Sequence, residues 1–195
     1  ISACLVGSEM CIRDRVSALG EAGHARTAAI VGLARHGGLR LREAILADLP
    51  RLRREAQKHG AINIQDGTKG GRRGASAPRW VPVTSELRAA LDAAKAVAGR
   101  QRNLVRHGER SVDVEKEVDL ARPLLKAHGL KDIRDLRSVY ACQRYAELTG
   151  HPAPVLGGTL YRDNRALDRQ AREQISHELG HRRIDVVSAY VGGRR

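Results

Sequence analysis

Phenylalanine is absent from this chain of 195 residues, which carries one Trp and four Tyr. Single-stranded nucleic acids are gripped largely by stacking on exposed rings, so this scarcity argues against a platform for single strands. Cysteine is also sparse. Cys4, Cys11 and Cys142 form no spaced pair, which argues against a disulfide framework or a Cys-ligated zinc and suits a reducing cytosol. No stretch approaches the roughly 20 apolar residues that a membrane helix needs. Acidic residues fall short of basic ones, 22 against 35, leaving a net charge of +13. Such a surplus calls for a polyanion. Duplex DNA fits best, because phosphate contacts require charge and not rings. Apolar residues make up 42%, too many for wholesale disorder, and the length suits one domain.

The opening Ile1–Arg15 lacks an initiator Met and the form of a secretory signal. Its run CLVGSEMCIRDR resembles a translated sequencing adapter. Residues 1–15 are therefore expected to be a non-native leader that packs poorly, with the functional domain over 16–195.

Helical patterns are expected over Glu21–His36, stopped by Gly37-Gly38, and over Arg42–His59 with a break at Pro50. Alternation predicts strands at Ala61–Gln65 and Trp80–Val83, joined by a long basic hairpin connection. Thr84 or Ser85 should cap a helix to Ala98. Further helices are expected at Val112–His128, Ile133–Leu148, after a cap at Asp163, and at Ile184–Tyr190. The fold class is α+β, mainly helical, with a small antiparallel sheet.

One local motif suggests a metalloprotease. His177-Glu178-Leu-Gly-His181 is a literal H-E-x-x-H, which on a helix places two imidazoles on one face with a Glu to activate zinc-bound water. Zinc needs a third ligand, and after His181 the chain has no His, Cys or Glu and a single Asp, Asp185. A peptidase also leaves the positive charge without a purpose.

Four dispersed boxes point elsewhere. Gly38-Leu-Arg-Leu-Arg-Glu43, Gly67-Thr-Lys-Gly-Gly-Arg72, Arg134-Asp-Leu-Arg137 and Leu179-Gly-His181 with Tyr190 nine positions later occur in that order. They resemble, respectively, the G-L-R-x-x-E box, the lysine hairpin, the H-x-L-R box and the L-G-H…Y box of the tyrosine recombinases, the phage-type integrases. The resemblance spans Arg40 to Tyr190 and absorbs the zinc-like motif.

It implies an enzyme that cuts and rejoins duplex DNA through a 3′-phosphotyrosyl intermediate, with no metal, ATP, small-molecule substrate or membrane. Tyr190 would be the nucleophile. Arg40, Arg137 and His181 would bind the non-bridging oxygens, and Lys69 would be the general acid. Glu43 would orient a neighbouring box. Arg134 stands where the family has His or Lys. Arginine stays protonated, so at this catalytic position Arg134 would donate to the phosphate but cannot accept the phenol proton, and His181, a water or the phosphate is left as the base. Ser138, where many members have His, is a second departure. Lys69, Arg72, Arg73 and Arg79, joined by Arg100, Arg102 and Arg106, form a basic cluster that would grip DNA backbone. The resemblance also implies a homo-tetramer on two DNA sites, an N-terminal helical domain that closes a clamp on DNA, and a cytoplasmic, nucleoid-associated location on behalf of a mobile element. A catalytically inactive DNA-binding relative is the second alternative. Tyr140, Tyr145 and Tyr161 fit no box, and Cys142 reads as an inert core residue.

Overall fold

The structure, a computed structural model, describes residues 9–68, 78–181 and 183–193. Helix α2 (Ala25–Gly37) is its centre. Every residue from Thr27 to Arg35 is buried, as expected of a helix apolar on all sides and walled in by neighbours. Those neighbours are α1 (Glu9–Glu21), α5 (Ser85–Ala98) and α8 (Ile133–Thr149). Gly32 lies where a Cβ would already touch Ala90 at 3.4 Å, so small residues let α2 and α5 approach closely.

The segment expected as one helix over Arg42–His59 is two: α3 (Leu41–Leu46) and α4 (Leu49–His59). The break falls at Ala47-Asp48, ahead of Pro50. Asp48 caps α4 by accepting from the Arg51 amide at 3.1 Å, and Pro50 sits in the first turn, where its missing N–H costs nothing. Strands β1 (Ala61–Asn63) and β2 (Trp80–Pro82) pair antiparallel in the register Ala61↔Pro82, Ile62↔Val81, Asn63↔Trp80. Both are shorter than expected. Thr84 caps α5, accepting from the Leu87 amide at 3.2 Å.

Pro123 divides the pattern over Val112–His128 into α6 (Ser111–Leu120) and α7 (Arg122–Ala127). After α8, a 3₁₀ turn (Pro154–Leu156) and α9 (Leu160–Asp163) lead to α10 (Arg165–Glu178). Its cap is Asn164, one residue beyond the expected Asp163; the Asn164 carboxamide oxygen accepts from the Leu167 amide at 3.0 Å. A 3₁₀ turn (Ile184–Val187) runs into α11 (Ser188–Val191), which packs on α8. Residues 9–21 form α1 against α2, with Leu19 buried; residues 1–8 lie outside the described residues. Among the described residues, no helix is long and apolar enough to cross a membrane.

Candidate active site

Two helix ends converge to make the site. The first is the end of α2, where Gly38 takes a left-handed conformation (φ 61°) and turns the chain into α3. Arg40 follows at the N-cap of α3, and Glu43 sits one turn in. The Glu43 carboxylate accepts from the Arg40 backbone amide at 2.7 Å and from its guanidinium at 2.5 Å. Glu43 is fully buried, with Arg79 at 2.8 Å and Arg137 at 3.9 Å from its oxygens. Burial works against its charge, yet Arg79 and Arg40 outweigh that and hold its carboxyl below the ordinary range.

The second is the end of α10. Helix geometry stops at Glu178, Leu179 is the C-cap, and Gly180 turns left-handed at φ 69°. The Leu179 carbonyl accepts from Arg137 at 3.0 Å and from Arg40 at 3.3 Å. The Gly38 carbonyl accepts from Arg137 and, at 3.2 Å, from Arg79. The guanidiniums thus rest on the carbonyls that end helices, where the helix dipole is negative. Three cations face one carboxylate, so two positive charges remain over. Burial, reinforced by Arg79 and Arg40, pushes Arg137 down to about 10, still protonated at neutral pH. Burial also lowers Arg79, against the pull of Glu43. Exposure separates their roles: the side chains of Arg79 and Arg137 are 5% and 3% exposed, that of Arg40 30%.

Past Gly180, the His181 amide donates to the Ser176 carbonyl at 2.8 Å, and Ser176 Oγ donates to the carbonyls of His181 and Arg183. These bonds fix the backbone that carries the imidazole. The following turn and α11 carry Tyr190 back, so that its hydroxyl lies 3.1 Å from His181 Nε2. The Arg137 guanidinium lies 5.7 Å from the Tyr190 ring centroid, within cation–π range. Burial, then Arg137, Arg40 and Arg79, push His181 down to about 4. The ring is therefore neutral at pH 7, so in the tautomer with Nε2 bare it accepts from the phenol and in the other it donates to it.

Arg40, Arg137, His181, Tyr190 and Glu43 thus meet in one place. Arg134 is exposed on the first turn of α8, one helical turn ahead of Arg137, with its amide donating to the capping Asp132 at 2.8 Å. Arg79, grouped by sequence with the residues that would grip DNA, is turned inward. Its Nε donates to the Glu178 carbonyl at 2.7 Å and its amide to Asn63 Oδ1 at 2.9 Å. Arg102 pairs with Asp48, while Arg100 and Arg106 are exposed. Lys69, Arg72 and Arg73 lie outside the described residues.

The H-E-x-x-H motif does not form the helical face that zinc requires. Helix α10 ends inside it, His177 is exposed, and Gly180 redirects the chain before His181. Glu178 is fully buried and occupied, accepting from Tyr140 at 2.7 Å, Arg144 at 3.1 Å and Gln174 at 2.9 Å. No group of three or more metal-ligating side chains occurs among the described residues.

The sequence alone put Arg79 among the residues that would grip DNA, gave Glu178 a role only in the zinc-like motif, and left Tyr140 without a place. Burial, then the neighbouring Glu178, raises the Tyr140 phenol far above its usual value, so it serves as a fixed hydrogen-bond donor. A Cβ on Gly38 would lie 2.8 Å from its ring. A helical plot was the available signal: Tyr140 shares an α8 face with Leu136 and Arg137, all buried.

Comparison with known proteins bears on the family and the fold. The family model described as Integrase matches residues 3–143. The crystal structure of XerA recombinase superposes with a TM-score of 0.57 at 18% identity, covering 95% of this chain and 57% of that one. The chain therefore spans a little over half the length of that structure. No curated protein matches the sequence.

Proposed function

Since the chain belongs to the integrase family and has the fold of a tyrosine recombinase catalytic domain, we propose that it cuts and rejoins duplex DNA through a covalent phosphotyrosyl intermediate. The observation that carries this is the Tyr190 hydroxyl, 3.1 Å from His181 Nε2 and beside the Arg137 guanidinium.

The chemistry follows from those groups. The Tyr190 oxygen attacks the scissile phosphorus while its proton passes to His181 Nε2, the base that Arg134 cannot be. The bond from phosphorus to the 5′ oxygen breaks, and that oxygen takes a proton from Lys69. Arg40, the more open of the two guanidiniums, and Arg137 bind the non-bridging oxygens, where negative charge builds in the transition state. The surplus of positive charge around Glu43 is held in place beforehand and needs no reorganisation as the phosphate reacts. The new ester keeps the energy of the old one, so rejoining by the freed 5′ hydroxyl consumes no ATP. Neither the attack nor the rejoining requires a metal or other cofactor. Exposed Arg134 and the hairpin arginines Arg72 and Arg73 supply backbone contacts. On this reading the protein works as a homo-tetramer on two sites together with a DNA-clamping domain, inside the cell, in the service of a mobile element.

The test is incubation with a nicked suicide duplex in EDTA. A denaturation-resistant protein–DNA adduct that persists in chelator and vanishes in Tyr190→Phe is the expected result. Duplex binding without any adduct would make the chain an inactive relative, and zinc in the purified protein with no adduct would overturn the proposal.

A further inference from the structure

We infer that Arg172 is a positioning residue that holds the Tyr190 phenol in register with the phosphate, an inference that rests on Tyr190 being the nucleophile. Helix α10 buries a stripe containing Ala171 and Ile175, and besides Glu178 at its end two charged residues share it: Asp168 and Arg172, 0% and 2% exposed. They pair at 2.8 Å, and Tyr145 donates to the same Asp168 oxygen at 2.8 Å. The rest of the guanidinium reaches across to α11. Its Nη1 donates to Ser188 Oγ at 3.2 Å and to the Gly192 carbonyl at 3.0 Å. Those two residues flank Tyr190, two positions before it and two after.

A helix of four residues cannot hold its own shape, because a single turn fixes many dihedrals for one hydrogen bond. Holding α11 are apolar anchorage by Val187 and Val191, both fully buried, a contact from Cys142 Sγ to the Tyr190 carbonyl at 3.6 Å, and the two bonds from Arg172 Nη1. The apolar anchors leave the segment free to rotate slightly; two directional bonds on either side of the tyrosine do not. The arrangement is a poor device for stability alone. Arg172 Nη2 has no hydrogen-bond partner among the described residues, and a buried ion pair with an unmet donor is commonly outdone by apolar side chains of similar volume. Its value is orientation. Lysine at 172 would keep a charge opposite Asp168, but its single nitrogen could not also span Ser188 and Gly192.

The experiment compares wild type, Arg172→Lys, Ser188→Ala and Tyr190→Phe by three measurements: the rate of adduct formation on the nicked duplex, duplex affinity, and amide hydrogen exchange over residues 187–193. Arg172→Lys should keep its duplex affinity, form adduct roughly ten- to a hundredfold more slowly, and exchange faster over 187–193 than elsewhere. Ser188→Ala, which removes one bond and cannot prevent folding, should show the same pattern more weakly. Unchanged exchange over 187–193 in both variants, or wild-type adduct rates in both, would overturn the clamp. If wild type itself forms no adduct, the nucleophile assignment fails, and the exchange data still decide whether Arg172 orders α11.

Discussion

Glu43 is a carboxylate with no solvent exposure, ringed by Arg40, Arg79 and Arg137. Removing its charge would strand two buried guanidiniums, so Glu43→Gln should lose roughly 3–5 kcal/mol in urea unfolding. At this scale the sequence is half legible. Arg40, Arg137, His181 and Tyr190 could be singled out because each sits in a short local box. Arg79 could not, since its partner carbonyl at Glu178 lies 99 residues away and a basic loop disguises it. Arg172 had a visible signal, a charge inside the apolar stripe of α10, but no box to draw attention to it.

Among elements, the junction of α2 and α3 is the most sensitive. Gly38 adopts φ 61°, and a Cβ there would press on Tyr140 at 2.8 Å and on Leu179 at 3.0 Å. Gly38→Ala should therefore lower stability by about 1–2 kcal/mol or more, read as a reduced thermal midpoint, and should slow adduct formation by displacing the acceptor of Arg137. Thr84→Ala, which strips the cap from α5, should cost about 1 kcal/mol in the same measurement without touching the site. Helix existence and the paired strands were legible from periodicity, and the α5 cap from Thr84 itself. Breaks were less so: Pro50 marks a helix start and not its interruption, because Asp48 satisfies the first turn before the proline arrives.

Over the whole molecule, charge and protonation set the working conditions. His36 and His181 are both pushed down to about 4 from 6.5, chiefly by burial and then by neighbouring arginines. The unfolded chain therefore binds protons at these rings that the folded one does not. Stability contributed by their neutrality is complete above about pH 6.5 and is lost as pH falls toward 4. Urea midpoints should fall across that window, and less so in His36→Gln. With a net charge of +13, duplex affinity should fall linearly in log Kd against log salt, as counterions return to the phosphates. Titration at several salt concentrations gives the slope.

Gly38 and Leu179 contribute to the guanidinium cage only through their peptide oxygens. At Leu179 that oxygen outlasts a change of side chain, whereas at Gly38 the left-handed turn against Tyr140 holds the position to glycine. The cradle for the arginines is therefore tied to the identity of one of its two residues and indifferent to that of the other.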